Sequence, residues 1–248
     1  MPVRLESLTY AVLFDAVGTL IEPHPAVAAA YAAAGCRFGS SLAQPEIEAR
    51  FRAAFTRREG IDAADGMGAT SEAGEQARWR AIVGEIFDDV ADAEPLFDAL
   101  WEHFAAAKHW RLMDGAAEAW RRLDSRQVNG RRLVVGIASN FDSRLESVCS
   151  GLPPLAGCPL FISSRLGHRK PAPAFFRAVE ARLGRKPEEL LLVGDDLVND
   201  YQGALAAGWQ AVLVDRHDRF EGTRRVRSLM ELVSGEDLIE RKPRIEGR

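Results

Sequence analysis

A run of mostly apolar residues, 10–14, leads straight into Asp15-Ala16-Val17-Gly18-Thr19-Leu20. Such a segment delivers a carboxylate from the end of a buried strand into a turn kept open by a glycine and closed by a hydroxyl. That arrangement presents an aspartate as a nucleophile toward phosphorus or carbon. Two further polar groups follow apolar runs: Ser139-Asn140 after residues 133–138, and Asp195-Asp196 with Asp200 after residues 190–193. Singly, each is ordinary, since an aspartate after a strand is often a helix N-cap and Ser-Asn is common turn chemistry. Their joint placement carries the weight, because ligands bind at the carboxyl edge of a doubly wound sheet.

The elements that must position these groups can be read from apolar periodicity. Residues 10–14, 133–138, 190–193 and 211–214 have the continuous apolar character of strands buried on both faces, and 159–162 is a weaker example. Phe175, Phe176, Val179 and Leu183 predict a helix after Pro171, and Val226, Leu229, Met230 and Val233 predict another near the end. Strand and helix alternate from residue 132 onward, which predicts an α/β fold: a doubly wound parallel sheet with right-handed crossovers.

Between the first two strands lie more than a hundred residues without a strand pattern, too many for one loop. Ile47, Phe51 and Phe55 repeat every four positions. Trp79, Ile82, Val83, Ile86, Phe87 and Val90 form one helical stripe, and Leu96, Phe97, Leu100, Trp101 and Phe104 another. Residues 22–110 are therefore expected to form a helical cap, with 1–21 and 111–238 making the core. The aromatic stripes are expected to be the cap's own interior. The stretch 60–74, rich in Gly and Asp, is expected to be a mobile connection within it. Residues 239–248 are charged and aperiodic and are expected to be a disordered tail. Its end, Ile245-Glu246-Gly247-Arg248, resembles a protease-cleavage linker.

A net charge of −4 over 248 residues gives no basic footprint for nucleic acid. Cys36, Cys149 and Cys158 lack metal-site or disulfide-framework spacing. With neither a leader-like segment nor a membrane-length apolar run, a cytoplasmic protein is expected. The lysines are Lys108, Lys170, Lys186 and Lys242, so a lysine inside a motif stands out against an arginine-rich background.

Four stretches, in order, resemble the haloacid dehalogenase superfamily: Phe14-Asp15-Ala16-Val17-Gly18-Thr19-Leu20; Gly136-Ile137-Ala138-Ser139-Asn140-Phe141-Asp142; Gly167-His168-Arg169-Lys170-Pro171-Ala172-Pro173; and Val193-Gly194-Asp195-Asp196-Leu197-Val198-Asn199-Asp200. The strings Ser-Asn-Phe-Asp-x-Arg-Leu and Asn-Asp-Tyr-x-Gly-Ala are most similar to the haloacid dehalogenase-like hydrolase domain-containing protein 3 subgroup. The resemblance covers nearly the whole chain and implies a Rossmann-like core with a helical cap of the family's first (C1) type. It implies Asp15 as nucleophile, Lys170 as the cation neutralising it and the transferred group, and Ser139 with the Asn140 backbone N–H holding phosphoryl oxygens. It also implies Mg²⁺ held by Asp15, the Val17 carbonyl, Asp195 and Asp200, and a small phosphorylated substrate. Asp196 is expected to cap the helix that follows it.

Phosphatases of this family usually carry a second aspartate two positions after the nucleophile, where this chain has Val17. Loss of a general acid typically costs about 10²–10⁴ in rate. Three accounts stay open. One is a weak or specialised Mg²⁺-dependent phosphatase for good leaving groups such as acyl or aryl phosphates, with His24 and Glu22 as weak substitute acids. The second is a 2-haloacid dehalogenase, in which halide leaves unprotonated and Arg52 binds a substrate carboxylate. Against it, that branch tends to carry Ser and Asn where Gly194-Asp195 stand here. The third is an inactive Mg²⁺- or phosphate-binding module. Phosphonoacetaldehyde chemistry would need a cap lysine, and Lys108 is badly placed for it.

Overall fold

Ala11, Val12, Leu13 and Phe14 have no accessible surface and form β1 (Ala11–Phe14), an interior strand of a parallel sheet. The computed structural model describes residues 9–64 and 68–234. The expected disordered tail, 239–248, lies outside them. After β1 come β2 (Ile21–Pro23), α1 (Val27–Arg37), α2 (Gln44–Ala64), α3 (Glu72–Ile86), α4 (Glu94–Ala105) and β3 (Trp110–Leu112). Next are α5 (Ala116–Asp124), β4 (Gln127–Val128), β5 (Arg131–Arg132), β6 (Val134–Ser139), α6 (Arg144–Ser150), β7 (Leu160–Ile162) and α7 (Ser163–Leu166). The chain closes with α8 (Pro173–Leu183), β8 (Leu190–Gly194), α9 (Gly203–Ala206), β9 (Gln210–Val214), β10 (Arg225–Val226) and α10 (Leu229–Ser234). A π-helical turn, Leu197–Gln202, leads into α9.

Among the described residues the main sheet has six strands in the order β10-β9-β8-β1-β6-β7, all parallel. Side chains alternate across it. Val12, Phe14, Val135, Ile137, Leu191 and Val193 face α5, α6 and α10, where Trp120, Leu145 and Leu229 meet them. Ala11, Leu13, Leu190 and Leu192 face the other way, onto Phe175, Phe176 and Val179 of α8. Both faces are therefore covered, which explains why these strands read as unbroken apolar runs.

The registers place the strand ends together. Phe14 pairs with Ile137 on one side and Val193 on the other. The turn that leaves β1 therefore lies level with the ends of β6 and β8, one strand spacing away on each side, or about 4.8 Å.

Between β2 and β3 the described chain makes α1–α4, which bury a separate apolar cluster around Tyr31, Ile47, Ile82, Val83, Ile86, Phe97 and Leu100. The two ends of this insert pair as an antiparallel ribbon, Ile21 with Leu112 and Pro23 with Trp110. A second junction joins its middle to the core: Arg169 N–H donates to Gly68 O (2.8 Å) and Thr70 N–H to Gly167 O (3.0 Å). Here the Glu72 carboxylate, at the start of α3, accepts from Ser143 N–H (3.1 Å), Ser143 Oγ (2.7 Å) and Ser164 Oγ.

Two expectations need correction. Residues 60–74 are not one loose connection: Gly60 to Ala64 continue α2, and Glu72 to Gly74 open α3 beneath a Ser71 N-cap. Residues 65–67 of that stretch lie outside the described residues. Val226 belongs to no helix; it pairs with Val214 in the edge strand β10, and α10 begins at Leu229. Among the described residues no helix is long and apolar enough to cross a membrane.

Candidate active site

Asp15 stands one residue past β1, anchored by its N–H to Val193 O (2.8 Å). Its Oδ1 accepts from Ser139 Oγ (2.9 Å), at the end of β6, and from Lys170 Nζ (2.8 Å). Lys170 arrives from the loop between α7 and α8 and is almost wholly buried. Its ammonium also donates to Ala138 O (2.8 Å) and Asp200 Oδ1 (2.6 Å), which uses all three of its protons.

Asn140 fixes the segment that carries this lysine. Its Nδ2 donates to Lys170 O (2.9 Å), and its Oδ1 accepts from Lys170 N–H (2.8 Å). The Asn140 side chain is thus committed to the lysine's backbone.

The loop after β8 supplies the acids. Asp195 Oδ1 accepts from Thr19 Oγ1 (2.9 Å), so the hydroxyl that closes the first turn holds a carboxylate from the end of the neighbouring strand. Asp196 accepts from the N–H groups of Val198 and Asn199 (2.8 Å each), the capping role expected of it. Asp200, in the π-helical turn, is buried and accepts from Asp196 N–H (3.1 Å) through its second oxygen. Two glycines make room. A Cβ on Gly194 would sit 2.1 Å from Asp200 Oδ2, and one on Gly18, at φ +86°, would sit 2.4 Å from Asp195 Oδ2.

Oxygens of Asp15, Asp195 and Asp200 lie within 4.8 Å of one another. Burial works against the Lys170 ammonium, but Asp15 and Asp200 more than offset it and raise its pKa. Burial pushes the Asp200 carboxyl up to about 7, with Lys170 opposing and Asp15 reinforcing the rise. Asp195 is raised too, first by burial and then by Asp15. One ammonium therefore does not satisfy three clustered carboxylates. A hard divalent cation with oxygen ligands suits this donor set.

Above this floor opens a cavity of about 390 Å³ reaching between the core and the insert. Asp15, Val17, Ser139, Asn140, Lys170, Asp195 and Asp200 border it, so the nucleophile, lysine, phosphate-binding and metal candidates implied by the resemblance lie at one opening. Val17 is partly exposed there. Other candidates lie elsewhere. Arg52 is exposed and pairs with Glu48 (2.8 Å), so it is not a substrate-binding arginine here. Glu22 pairs with Arg111 (2.6 Å), and His24 and Lys108 are exposed. None of these four lines the cavity.

The sequence left part of the wall unassigned. The stripes expected to be buried inside the insert are shared: Phe51, Phe55, Trp79, Trp101 and Phe104 are only partly buried and line the cavity. So do Arg78, Arg144 and Arg169. Arg144 forks onto Asp142 (2.8 and 2.7 Å) and lies 3.5 Å from the Trp101 ring centre. Its place right after the Ser-Asn-Phe-Asp string was the available signal.

Comparison with known proteins identifies the family. A family described as haloacid dehalogenase-like hydrolase matches residues 10–208. Haloacid dehalogenase-like hydrolase domain-containing protein 3 of Mus musculus is 28% identical over 243 residues, spanning 92% of this chain and 93% of that protein. Among solved structures, the magnesium-bound YfnB protein of Bacillus subtilis superposes with a TM-score of 0.70 at 21% identity, over 91% of this chain and 98% of that one. A defluorinating L-2-haloacid dehalogenase gives 0.73 at 17% identity, over 95% and 99%. The two solved structures share this chain's fold, and the family match spans all four motifs. The chain belongs to the haloacid dehalogenase-like hydrolase family.

Proposed function

We propose that the protein is a hydrolase of phosphate monoesters or acyl phosphates, specialised for substrates whose leaving group departs without a proton. The observation that carries this reading is the shared hydrogen bonding of Lys170 to Asp15 and Asp200, with Asp195 beside them. An attacking carboxylate, a buried cation and an acidic pocket occupy one cleft.

The free oxygen of Asp15 attacks phosphorus, and the bond from phosphorus to the leaving oxygen breaks, giving an aspartyl phosphate and an aryloxide or carboxylate. Water then attacks the same phosphorus, the bond from phosphorus to the Asp15 oxygen breaks, and the water's protons leave on the released dihydrogen phosphate, restoring the Asp15 carboxylate. Lys170 offsets the charge that develops on the nucleophile and the phosphoryl oxygens, and Ser139 orients Asp15 by its hydrogen bond. The Asn140 side chain acts through the lysine's backbone. Asp15, Asp195 and Asp200, with the Val17 carbonyl, would hold Mg²⁺, which when bound supplies positive charge to the phosphoryl oxygens. Val17 can neither protonate the leaving oxygen nor activate water. The insert acts as a cap that sets which leaving groups enter.

The test is hydrolysis of p-nitrophenyl phosphate and acetyl phosphate, with and without Mg²⁺. Turnover is expected with Mg²⁺ and is expected to vanish in Asp15→Asn. Val17→Asp is expected to raise kcat on p-nitrophenyl phosphate by about tenfold, below the about 10²–10⁴ that general acid–base catalysis provides in full, because p-nitrophenolate needs little protonation. Metal-independent halide release from 2-chloropropionate would favour the dehalogenase instead. Inertness in both assays, with Mg²⁺ still bound by calorimetry, would favour a binding module.

A further inference from the structure

We infer that the cavity selects a flat aromatic leaving group that carries no second anionic group, so that the preferred substrate class is the aryl phosphates. This deepens the phosphatase reading above and rests on it.

Two observations carry the inference. First, aromatic rings run without a break from the core into the insert. Phe141 meets Trp110 (5.9 Å between ring centres), Trp110 meets Phe104 (6.1 Å), and Phe104 meets Tyr31 (6.0 Å). Tyr31 meets Phe51 (5.3 Å), which meets Phe55 (5.9 Å). All six border the same cavity as Asp15. Tyr31 and Trp110 are buried behind this wall, whereas Phe51, Phe55, Phe104 and Phe141 are partly exposed and offer ring surface to whatever enters, the geometry that recognises another ring. The cavity, at about 390 Å³, lies near the lower end of the range for small-molecule pockets, about 300–1,000 Å³.

Second, the cations in the wall are already matched. Arg144 holds Asp142 in a two-pronged bond, and Arg78 (2.5 Å) and Arg169 (2.8 Å) share Glu59. Glu75, buried beside Arg78, adds more negative charge. A nucleotide tail, sugar bisphosphate or carboxylate would have to displace one of these acids. A neutral ring would not. The missing acid at residue 17 fits the same class, because a phenolate leaves unprotonated more readily than an alkoxide.

The decisive measurement needs no turnover. Calorimetry on the unaltered chain with Mg²⁺ present compares two phosphonates that it cannot hydrolyse, 1-naphthylmethylphosphonate and methylphosphonate, and the naphthyl compound is expected to bind at least tenfold more tightly. Equal affinities would overturn the aromatic pocket and leave the phosphatase reading standing. Binding of neither would remove the phosphoryl site itself, and both ideas with it. In the active chain, kcat/KM is expected to be about tenfold higher for 1-naphthyl phosphate than for phenyl phosphate, through KM, because their phenols are of similar acidity. Parity between the two esters while acetyl phosphate is hydrolysed would again overturn only the pocket. Phe55→Ala is expected to shrink the naphthyl preference severalfold; an undiminished preference would count against the ring wall.

Discussion

Gly194 shows how narrowly the site is drawn at the scale of single residues. Its missing side chain leaves room for the Asp200 carboxylate, which a Cβ would meet at 2.1 Å. Gly194→Ala must push Asp200 away from Lys170, breaking the 2.6 Å contact between them. We predict at least a hundredfold loss of phosphatase activity with the fold retained, measured by p-nitrophenyl phosphate turnover alongside circular dichroism. An unchanged rate would mean that Asp200 has no part in the chemistry. The sequence displayed Asp15, Ser139, Lys170, Asp195 and Asp200 because each is a polar residue in a recognisable string at the end of an apolar run. It could not display the job of Asn140, whose side chain grips the backbone of a residue thirty positions away. Arg52 misled for the opposite reason: an arginine on a helix of the insert shows its charge in the sequence but not which way that helix turns it.

At the scale of elements, the strands were plain to read and the joints were not. Residues 190–193 became Leu190–Gly194 and residues 211–214 became Gln210–Val214, because burial on both faces leaves little choice but an apolar run. Val226 misread because two residues of edge strand are too short to show a period, and its spacing to Leu229 imitates a helix. Gly60 failed to end α2 because a glycine inside a helix costs only about 1 kcal/mol, which a 21-residue helix can absorb.

The joint built on Glu72 was invisible for a related reason, since its partners Ser143 and Ser164 are common, remote residues. Partial burial works against the Glu72 charge, but hydrogen bonds from Ser164 and Ser143 outweigh it and hold its pKa below the usual carboxylate range. A depressed folded-state pKa means that this contribution is complete above the ordinary glutamate pKa. It is lost as pH falls through the lower, folded value. Acid should therefore loosen the insert at residues 68–72. Glu72→Gln should do so at neutral pH, speeding amide exchange there by roughly tenfold, since charged hydrogen bonds contribute about 1.5–3 kcal/mol before solvent screening. Exchange equal to wild type at pH 7 would show that Glu72 does not join the two parts.

For the whole molecule, a cluster of three carboxylates is a cost to folding that a cation can lift. A ligand that binds only the folded chain adds about 2.7 kcal/mol at a hundred times its dissociation constant. For a chain of this size that corresponds to a rise in Tm of roughly 5–10 °C. Mg²⁺ is expected to produce such a shift, and Asp195→Asn to abolish most of it, by scanning calorimetry at constant ionic strength. A Tm indifferent to Mg²⁺ would remove the metal site whatever the enzyme assays gave. The overall architecture was legible because alternation of strand and helix leaves few ways to close a parallel sheet. The aromatic stripes announced helices in the insert, but periodicity names a face without saying what that face looks upon.

The placing of the tryptophans gives the protein a built-in optical signal. Trp79, Trp101 and Trp110 border the cavity, while Trp120 and Trp209 are buried against opposite faces of the sheet. Indole emission responds to what lies against the ring, so three of the five emitters among the described residues stand where an occupant would arrive, and two stand away as a steady background. Filling or emptying the chamber should therefore alter the intrinsic fluorescence of the unlabelled chain in real time.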